Sequence, residues 1–190
     1  MERQRWLDGT LYSPDFEQDS CGFGLIAQID NQPSHTLVQN AIGSLACMTH
    51  RGAIAADGLS GDGCGLLFKK PDAFLRAVAS EAGLTLGELY AAGLLFLSRD
   101  AAPQAHARAT LKAALEAQGL TVAGFRLVPT NSSVCGESAL ASLPHIEQAF
   151  INAPAGMSED DFERKLYIAR RQAEKALEPT DPVFYLPTLS

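Results

Sequence analysis

Short apolar runs alternate with amphipathic segments of helical period along this chain, and this alternation limits the fold more than any other feature. The best-marked helix starts at Ser158, which forms an S-x-x-D capping box with Asp161 ahead of apolar residues at helical spacing. A second, alanine-rich helix is predicted from Pro103 to Gln118. Strand-like runs lie at 92–97, 121–128 and 146–151. Interleaved helices and strands of this kind indicate an α/β or α+β protein.

The N-terminal half predicts a similar succession of elements after a polar lead-in over residues 1–20. Ser34 is placed to cap a helix that ends near His50, and Pro71 suits the first turn of another, with Phe74 on its apolar face. The run at 146–151 alternates apolar and polar residues, so we expect a half-exposed strand there. Buried or short strands are also expected at 21–29, 65–68 and 182–186.

The charge balance excludes several classes of partner. The chain of 190 residues has 15 Lys and Arg against 22 Asp and Glu, a formal charge of −7, whereas nucleic acids and anionic membranes attract basic surfaces. No apolar run approaches the roughly 18–20 residues that span a bilayer, and the first ten residues contain no signal-peptide core. We therefore expect one cytoplasmic domain with neither nucleic acid nor membrane as a partner.

The four cysteines do not form a recognisable framework. Cys21, Cys47, Cys64 and Cys135 include no C-x-x-C pair, and the four histidines do not lie at zinc-ligand spacing from them. Four reduced thiols are the expectation for a chain with no export signal. The absence of paired cysteine spacing counts against the alternative of a stand-alone thiol redox or metal protein.

Cys21 stands where the polar lead-in meets a strand-like run. If the lead-in were removed, Cys21 would carry a free α-amine, whose pKa of about 7.7–8.0 lets it accept the proton of a thiol with a pKa of about 8.5. One residue would then supply both nucleophile and base. The alternative is that Cys21 is a small buried apolar side chain, which is the common role of a free cysteine.

A glycine-rich stretch follows the helix predicted to end near His50. It contains His50-Arg51-Gly52-Ala53 and, beyond Asp57, Ser60-Gly61-Asp62-Gly63-Cys64-Gly65. The stretch lacks the P-loop G-x-x-x-x-G-K pattern and the register of an EF-hand loop. Read alone, it is a turn, with His50 and Arg51 placed to interact with the dipole at a helix C-terminus.

The two segments together closely resemble the start of the glutamate synthase large subunit, its class II glutamine amidotransferase domain. The matching residues are Cys21-Gly22-Phe23-Gly24-Leu25-Ile26-Ala27, then Met48-x-His50-Arg51-Gly52-Ala53 and Asp57-x-x-Ser60-Gly61-Asp62-Gly63-x-Gly65. Further matches occur at 128–131, 136–137, 146–148, 162–167 and 184–185. The resemblance therefore covers nearly everything from Cys21 to Ser190.

The resemblance implies a fold, a processing step and an active site. The fold is α+β, a four-layer αββα sandwich of the N-terminal-nucleophile hydrolase type, incomplete at the C-terminus of this chain. Residues 1–20 correspond to the family's propeptide and 21–190 to the N-terminal portion of the amidotransferase domain. Cys21 would attack the side-chain amide of glutamine, with Arg51 and Gly52 ordering its surroundings. No metal ligand is implied in this chain.

The resemblance also implies partners and cofactors. The partners are glutamine, the remainder of the synthase and a small electron-transfer subunit. In the full family enzyme, ammonia passes to a second site that aminates 2-oxoglutarate using FMN and an iron–sulfur cluster. We expect neither cofactor in this chain.

One departure from the family pattern favours a different interpretation. Class II amidotransferases stabilise the tetrahedral oxyanion with an Asn-Gly pair downstream of the nucleophile, and this sequence contains no Asn-Gly dipeptide. Loss of one oxyanion donor typically costs about 10²–10³ in rate. The alternative is thus a truncated, non-catalytic remnant or interaction module of the same fold. An N-terminal fragment of this kind is expected to expose apolar surface and to associate.

Overall fold

The computed structural model describes residues 22–48, 54, 56–61 and 63–190. They form two compact units: one holds the described residues up to Leu67 together with Cys135–Ala139, and the other holds Phe68–Val134 and Leu140–Ser190. Helices and an antiparallel sheet are both present, so the α+β class predicted from the sequence is confirmed.

The larger unit is built on a three-stranded antiparallel sheet. Its strands are β1 (Tyr90–Leu97), β2 (Thr121–Leu127) and β3 (His145–Asn152), and β3 lies between the other two. Phe150 and Ile151 point to opposite faces of β3, and both are fully buried. The predicted half-exposed strand is therefore wrong in its exposure, since the alternation of residue types does not reveal that apolar side chains cover both faces of the sheet.

One face of the sheet is covered by two long helices. Helix α3 (Ala101–Ala117) connects β1 to β2, and helix α5 (Glu159–Leu177) follows β3. The Ser158 Oγ accepts a hydrogen bond from the Asp161 amide at 3.2 Å, so the predicted cap of α5 is confirmed. The apolar positions of both helices pack on alternate residues of the strands. The buried residues of this layer include Ala91, Leu95, Leu97, Leu111, Leu115, Ala149, Ile151, Phe162, Leu166 and Ala173.

The opposite face carries a smaller apolar cluster around helix α2 (Asp72–Glu81). Leu75, Val78 and Ala79 of α2 pack with Tyr90 and Phe150 of the sheet. The predicted helix after Pro71 is confirmed. Phe74 is predicted on the apolar face of this helix, and that prediction is wrong because Phe74 is 58% exposed.

The last residues of the chain lie along the free edge of β1. Ala92 and Ser190 exchange backbone hydrogen bonds of 2.9 and 3.3 Å, and Phe96 exchanges two more with Tyr185. Leu186 and Leu189 are buried in the helix-side core. The strand expected at 182–186 is thus a single bridge at Tyr185, which still protects an edge that would otherwise be unpaired.

The smaller unit contains helix α1 (His35–Cys47) and the first residues of the short helix α4 (Glu137–Ser142). The predicted strands at 21–29 and 65–68 are wrong: their described residues form no ladder and are exposed. Apolar, β-branched composition cannot make a strand without a partner that accepts its hydrogen bonds. No helix in the described part of the chain is both long and apolar enough to cross a bilayer.

Candidate functional site

The three site residues predicted from the sequence, Cys21, Arg51 and Gly52, lie outside the described residues, as does the lead-in over 1–20. The structure describes the backbone that follows Cys21 and the segments that end at Met48 and resume at Ile54 around the Arg51-Gly52 pair. Gly22 follows Cys21 directly, and Arg51 and Gly52 fall between Met48 and Ile54. The site is therefore built here from the elements that flank these positions.

Helix α1 leads toward the Arg51-Gly52 pair. It begins where the Ser34 Oγ accepts a hydrogen bond from the Leu37 amide at 3.3 Å, the cap that the sequence predicts. It ends at Cys47, and the Met48 amide closes the last turn on the Leu45 carbonyl. The predicted helix is confirmed, and its last residue, Cys47, lies near the expected end at His50.

A tight hairpin follows the pair on its other side. Ile54 and Gly61 form an antiparallel bridge, and Asp57 anchors the turn between them. The Asp57 Oδ1 accepts hydrogen bonds from the Leu59 amide at 3.0 Å and the Ser60 amide at 2.8 Å. Its Oδ2 accepts one from the Ser60 hydroxyl at 2.6 Å. One carboxylate thus fixes the whole turn, as aspartate commonly does in this position.

This turn contacts a segment far away in sequence. Gly136 lies against it so closely that a Cβ there would overlap the Asp57 Oδ2 and the Ser60 Oγ. The Ser60 Oγ also accepts a hydrogen bond of 3.4 Å from the Ala139 amide, 79 residues along the chain. Ser60 is consequently buried, with 7% of its surface exposed. We name Asp57, Ser60, Gly136 and Ala139 the turn clamp.

The surroundings of Asp57 suit a structural role. Hydrogen bonds from the Ser60 hydroxyl and from the Ser60 and Leu59 amides hold the pKa of its carboxyl below the usual value of 3.8. The group is therefore a carboxylate near neutral pH, with both oxygens engaged. A base with a depressed pKa takes up protons poorly, so the environment suits an anchor and not a general base.

The other three cysteines lie within the described residues. Cys47, Cys64 and Cys135 form no disulfide there. Cys47 and Cys64 are exposed, and Cys135 is half-buried. No group of three or more His, Cys, Asp or Glu side chains within the described residues could hold a metal ion.

Sequence reasoning missed a buried ionic cluster in the larger unit. The Glu147 Oε1 accepts a hydrogen bond from Arg108 Nη1 at 2.6 Å and lies 2.9 Å from His145 Nε2, while Oε2 is buried without a partner. Residues 145, 147, 149 and 151 share one face of β3, and Arg108 precedes Leu111 by one helical turn. These two spacings were the available signal in the sequence. They place the Glu147 carboxylate on the face of β3, and the Arg108 guanidinium on the face of α3, that pack against each other.

A second missed cluster surrounds Tyr90. Its hydroxyl donates to the Asp72 Oδ1 at 2.9 Å, and its ring lies 4.7 Å from both Lys70 Nζ and the Arg76 guanidinium carbon. Burial, together with Asp72, raises the pKa of Tyr90 to about 12. The cluster joins the start of α2 to the start of β1, and no local sequence motif predicts it.

Comparison with protein families finds one family that matches most of the chain. The sequence profile of the family described as "Glutamine amidotransferases class-II" matches residues 21–190. The match starts at Cys21 and excludes the polar lead-in.

Comparison with curated proteins finds glutamate synthases. The chain is 39% identical over 163 residues, 85% of its length, to "Ferredoxin-dependent glutamate synthase 2" of Synechocystis sp.. It is 36% identical over 181 residues, 95% of its length, to "Glutamate synthase [NADPH] large chain" of Bacillus subtilis. These matches cover 10% and 12% of the two relatives, so the chain spans about a tenth of their length. The resemblance drawn from the motifs is therefore confirmed.

Proposed function

The chain belongs to the class II glutamine amidotransferases, and from that premise we propose that it carries the glutamine-hydrolysing nucleophile of a glutamate synthase. The observation that carries the proposal is where the family match begins, at the one cysteine that follows a polar lead-in. The relatives reported above are glutamate synthases, which favours this function over a non-catalytic module.

The proposed nucleophile is Cys21, freed by cleavage after Ser20. Residues 1–20 are then the propeptide, and 21–190 the N-terminal portion of the amidotransferase domain. The new α-amine takes the thiol proton, and the sulfur attacks the side-chain carbonyl carbon of glutamine. The carbon–nitrogen bond breaks, ammonia leaves with the proton, and a thioester remains. Water then attacks the thioester, which yields glutamate and restores the thiol.

Arg51 and Gly52 are proposed to order the Cys21 terminus and its surroundings. The support is the turn that follows the pair: the hairpin closed by Ile54 and Gly61 begins just after it and is held by the hydrogen bonds of Asp57 and Ser60. A positioned catalytic group requires such a fixed support.

We further propose that the sheet of the larger unit is one layer of a four-layer αββα sandwich. The support is the helix layer of α3 and α5 on one face of the antiparallel sheet. An experimental structure of the amidotransferase domain tests this proposal: a second sheet packed on the first would support it, and its absence would contradict it.

The wider enzyme is proposed from the same relatives. Ammonia released at Cys21 would aminate 2-oxoglutarate in the remainder of the synthase, which would act in the cytoplasm with a small electron-transfer subunit. The FMN and the iron–sulfur cluster implied for the full enzyme are proposed to lie in the remainder of the synthase.

The test labels the thiol with an electrophilic glutamine analogue. N-terminal sequencing first establishes that the chain begins at Cys21, and peptide mass spectrometry then locates the label. We expect modification at Cys21, slowed by excess glutamine and abolished by Cys21→Ala. Cys64→Ala is the matched control, because Cys64 is an exposed thiol that the proposal leaves out of the chemistry. A label on another thiol, or none on a chain that begins at Cys21, would contradict the proposal.

A further inference from the structure

The short helix α4 is capped by a residue that is not its neighbour. The position before it is Gly136, which has no side chain to accept a hydrogen bond from the first turn. The Ser60 hydroxyl takes that place: it accepts from the Ala139 amide, the third residue of the helix, at 3.4 Å. The glycine and the remote hydroxyl therefore function as one cap.

The cap is polarised by a negative charge. The Ser60 hydroxyl donates its hydrogen to the Asp57 Oδ2 at 2.6 Å, which is short and typical of a hydrogen bond to a carboxylate. Carboxylate, hydroxyl and amide thus form a continuous chain of hydrogen bonds. Such chains strengthen their members mutually, so loss of the central hydroxyl weakens both of its contacts.

The space for this contact exists only because residue 136 is glycine. A Cβ there would overlap the Asp57 Oδ2 and the Ser60 Oγ, and its distance to the Asp57 carboxyl carbon would be 3.0 Å. These atoms belong to short side chains already held by hydrogen bonds, so they cannot move aside without breaking the turn.

We propose that the turn clamp is a positioning device for the amidotransferase reaction: it fixes the hairpin that immediately follows Arg51 and Gly52. This inference rests on the proposed function. Asp57, Ser60 and Gly136 are positioning residues because they act through the backbone of the hairpin. A displacement of about 1 Å far from the reacting atoms can cost about 10²-fold in rate, so a loosened hairpin is expected to slow the chemistry at Cys21.

The primary experiment compares labelling rates of Cys21 by the electrophilic glutamine analogue. Ser60→Ala removes the hydroxyl at nearly constant shape, and we expect the maximal labelling rate to fall about tenfold or more. The half-saturating concentration of the analogue should change less, since the clamp positions the site and is not proposed to bind the ligand. Ser60→Thr keeps the hydroxyl and should recover most of the rate. A Ser60→Ala rate equal to wild type overturns the proposal.

Two further measurements separate positioning from general damage. Hydrogen exchange at the Ala139 amide should quicken in Ser60→Ala, and exchange in α5 should not change. In a double-mutant cycle, the effects of Gly136→Ala and Ser60→Ala on the labelling rate of Cys21 should be non-additive, because removal of the Ser60 Oγ relieves part of the overlap with the new Cβ. Additive effects overturn the direct contact.

Matched controls come from α1. Gly43→Ala introduces a Cβ with nothing within 4 Å, and Ser44→Ala removes a hydroxyl that donates to the Asn40 carbonyl of its own helix. Both should label at the wild-type rate. If wild-type Cys21 is not labelled at all, the proposed function fails first. If it is labelled and the clamp variants match it, only this inference fails.

Discussion

Tyr90 shows how one buried residue is fixed by charges on several sides. Only 1% of its surface is exposed, yet its hydroxyl reaches the partly exposed Asp72 carboxylate, and two cations lie over its ring. The hydrogen bond from Tyr90 is the largest cause that holds the pKa of Asp72 below its usual value. A neutral phenol is therefore the form that the fold requires, and ionisation would place two anions together.

Tyr90→Phe is predicted to destabilise the larger unit by about 1.5–3 kcal/mol at neutral pH, because it removes a hydrogen bond to a charged group. The pKa of Tyr90 is raised to about 12 from 10 in the unfolded chain, so its contribution is fully present below pH 10 and is lost as pH rises toward 12. Urea denaturation at several pH values should show the wild-type and variant curves converging over that window.

Tyr167→Phe is the control for this prediction, since Tyr167 is an exposed residue of α5 and its change should fall within about 0.5 kcal/mol. Parallel stability curves for wild type and Tyr90→Phe between pH 10 and 12 would contradict the assigned role.

At the scale of elements, the sequence predicts best what is encoded locally. The cap at Ser158, the glycine that ends α3 and the proline that starts α2 each act within a few residues, and the predicted elements are present. Gly119 adopts φ 76°, the left-handed conformation that a helix C-terminus favours and that glycine adopts at low cost.

What the sequence does not predict depends on distant partners. The burial of β3 is set by α3 and α5 on one face of the sheet and by α2 on the other. Among the described residues, 22–29 have no strand partner, so the predicted strand there is not formed. The same holds at the candidate site. The glycine-rich stretch predicts a turn near Asp57, but nothing in its own sequence indicates that Gly136 closes it.

The edge of β1 offers a test at this scale. A Cβ at Gly93 would lie 2.5 Å from the Thr188 carbonyl oxygen and 3.0 Å from Leu189 Cδ1, so Gly93→Ala should push the C-terminal segment off the strand. We expect a loss of about 1–3 kcal/mol in the free energy of unfolding, typical of overpacking. Hydrogen exchange at the Ala92 amide, which bonds to the Ser190 carbonyl, should become faster.

Gly63→Ala is the comparison for this variant, since a Cβ at Gly63 meets nothing within 4 Å. Unchanged protection of Ala92 in Gly93→Ala would show that the terminal segment does not depend on close approach to the strand.

At the scale of the whole molecule, apolar burial is unevenly distributed. The larger unit holds both hydrophobic clusters, whereas α1 contains no buried residue. In the smaller unit, Phe23, Leu25 and Ile29 are 94%, 90% and 102% exposed. Several large apolar side chains exposed to this degree in one segment favour association with other polypeptide.

The isolated 190-residue chain is therefore predicted to associate or aggregate. Sedimentation velocity should show species larger than the monomer, and the triple variant Phe23→Ser, Leu25→Ser and Ile29→Ser should reduce them without lowering the stability of the larger unit. A wild-type monomer that melts in one cooperative transition would contradict this prediction.

The placement of β3 also governs how the chain acquires its structure during synthesis. Within the three-stranded sheet, β1 and β2 are not paired with each other, and both pair with β3, the last of the three strands to be synthesised. A nascent chain on the ribosome can thus form α3 early but has no sheet until Asn152 has emerged. Until then the apolar residues of β1 and β2 are exposed and can bind chaperones. A delay in translation between β2 and β3 would therefore prolong the time during which the nascent chain is prone to aggregate.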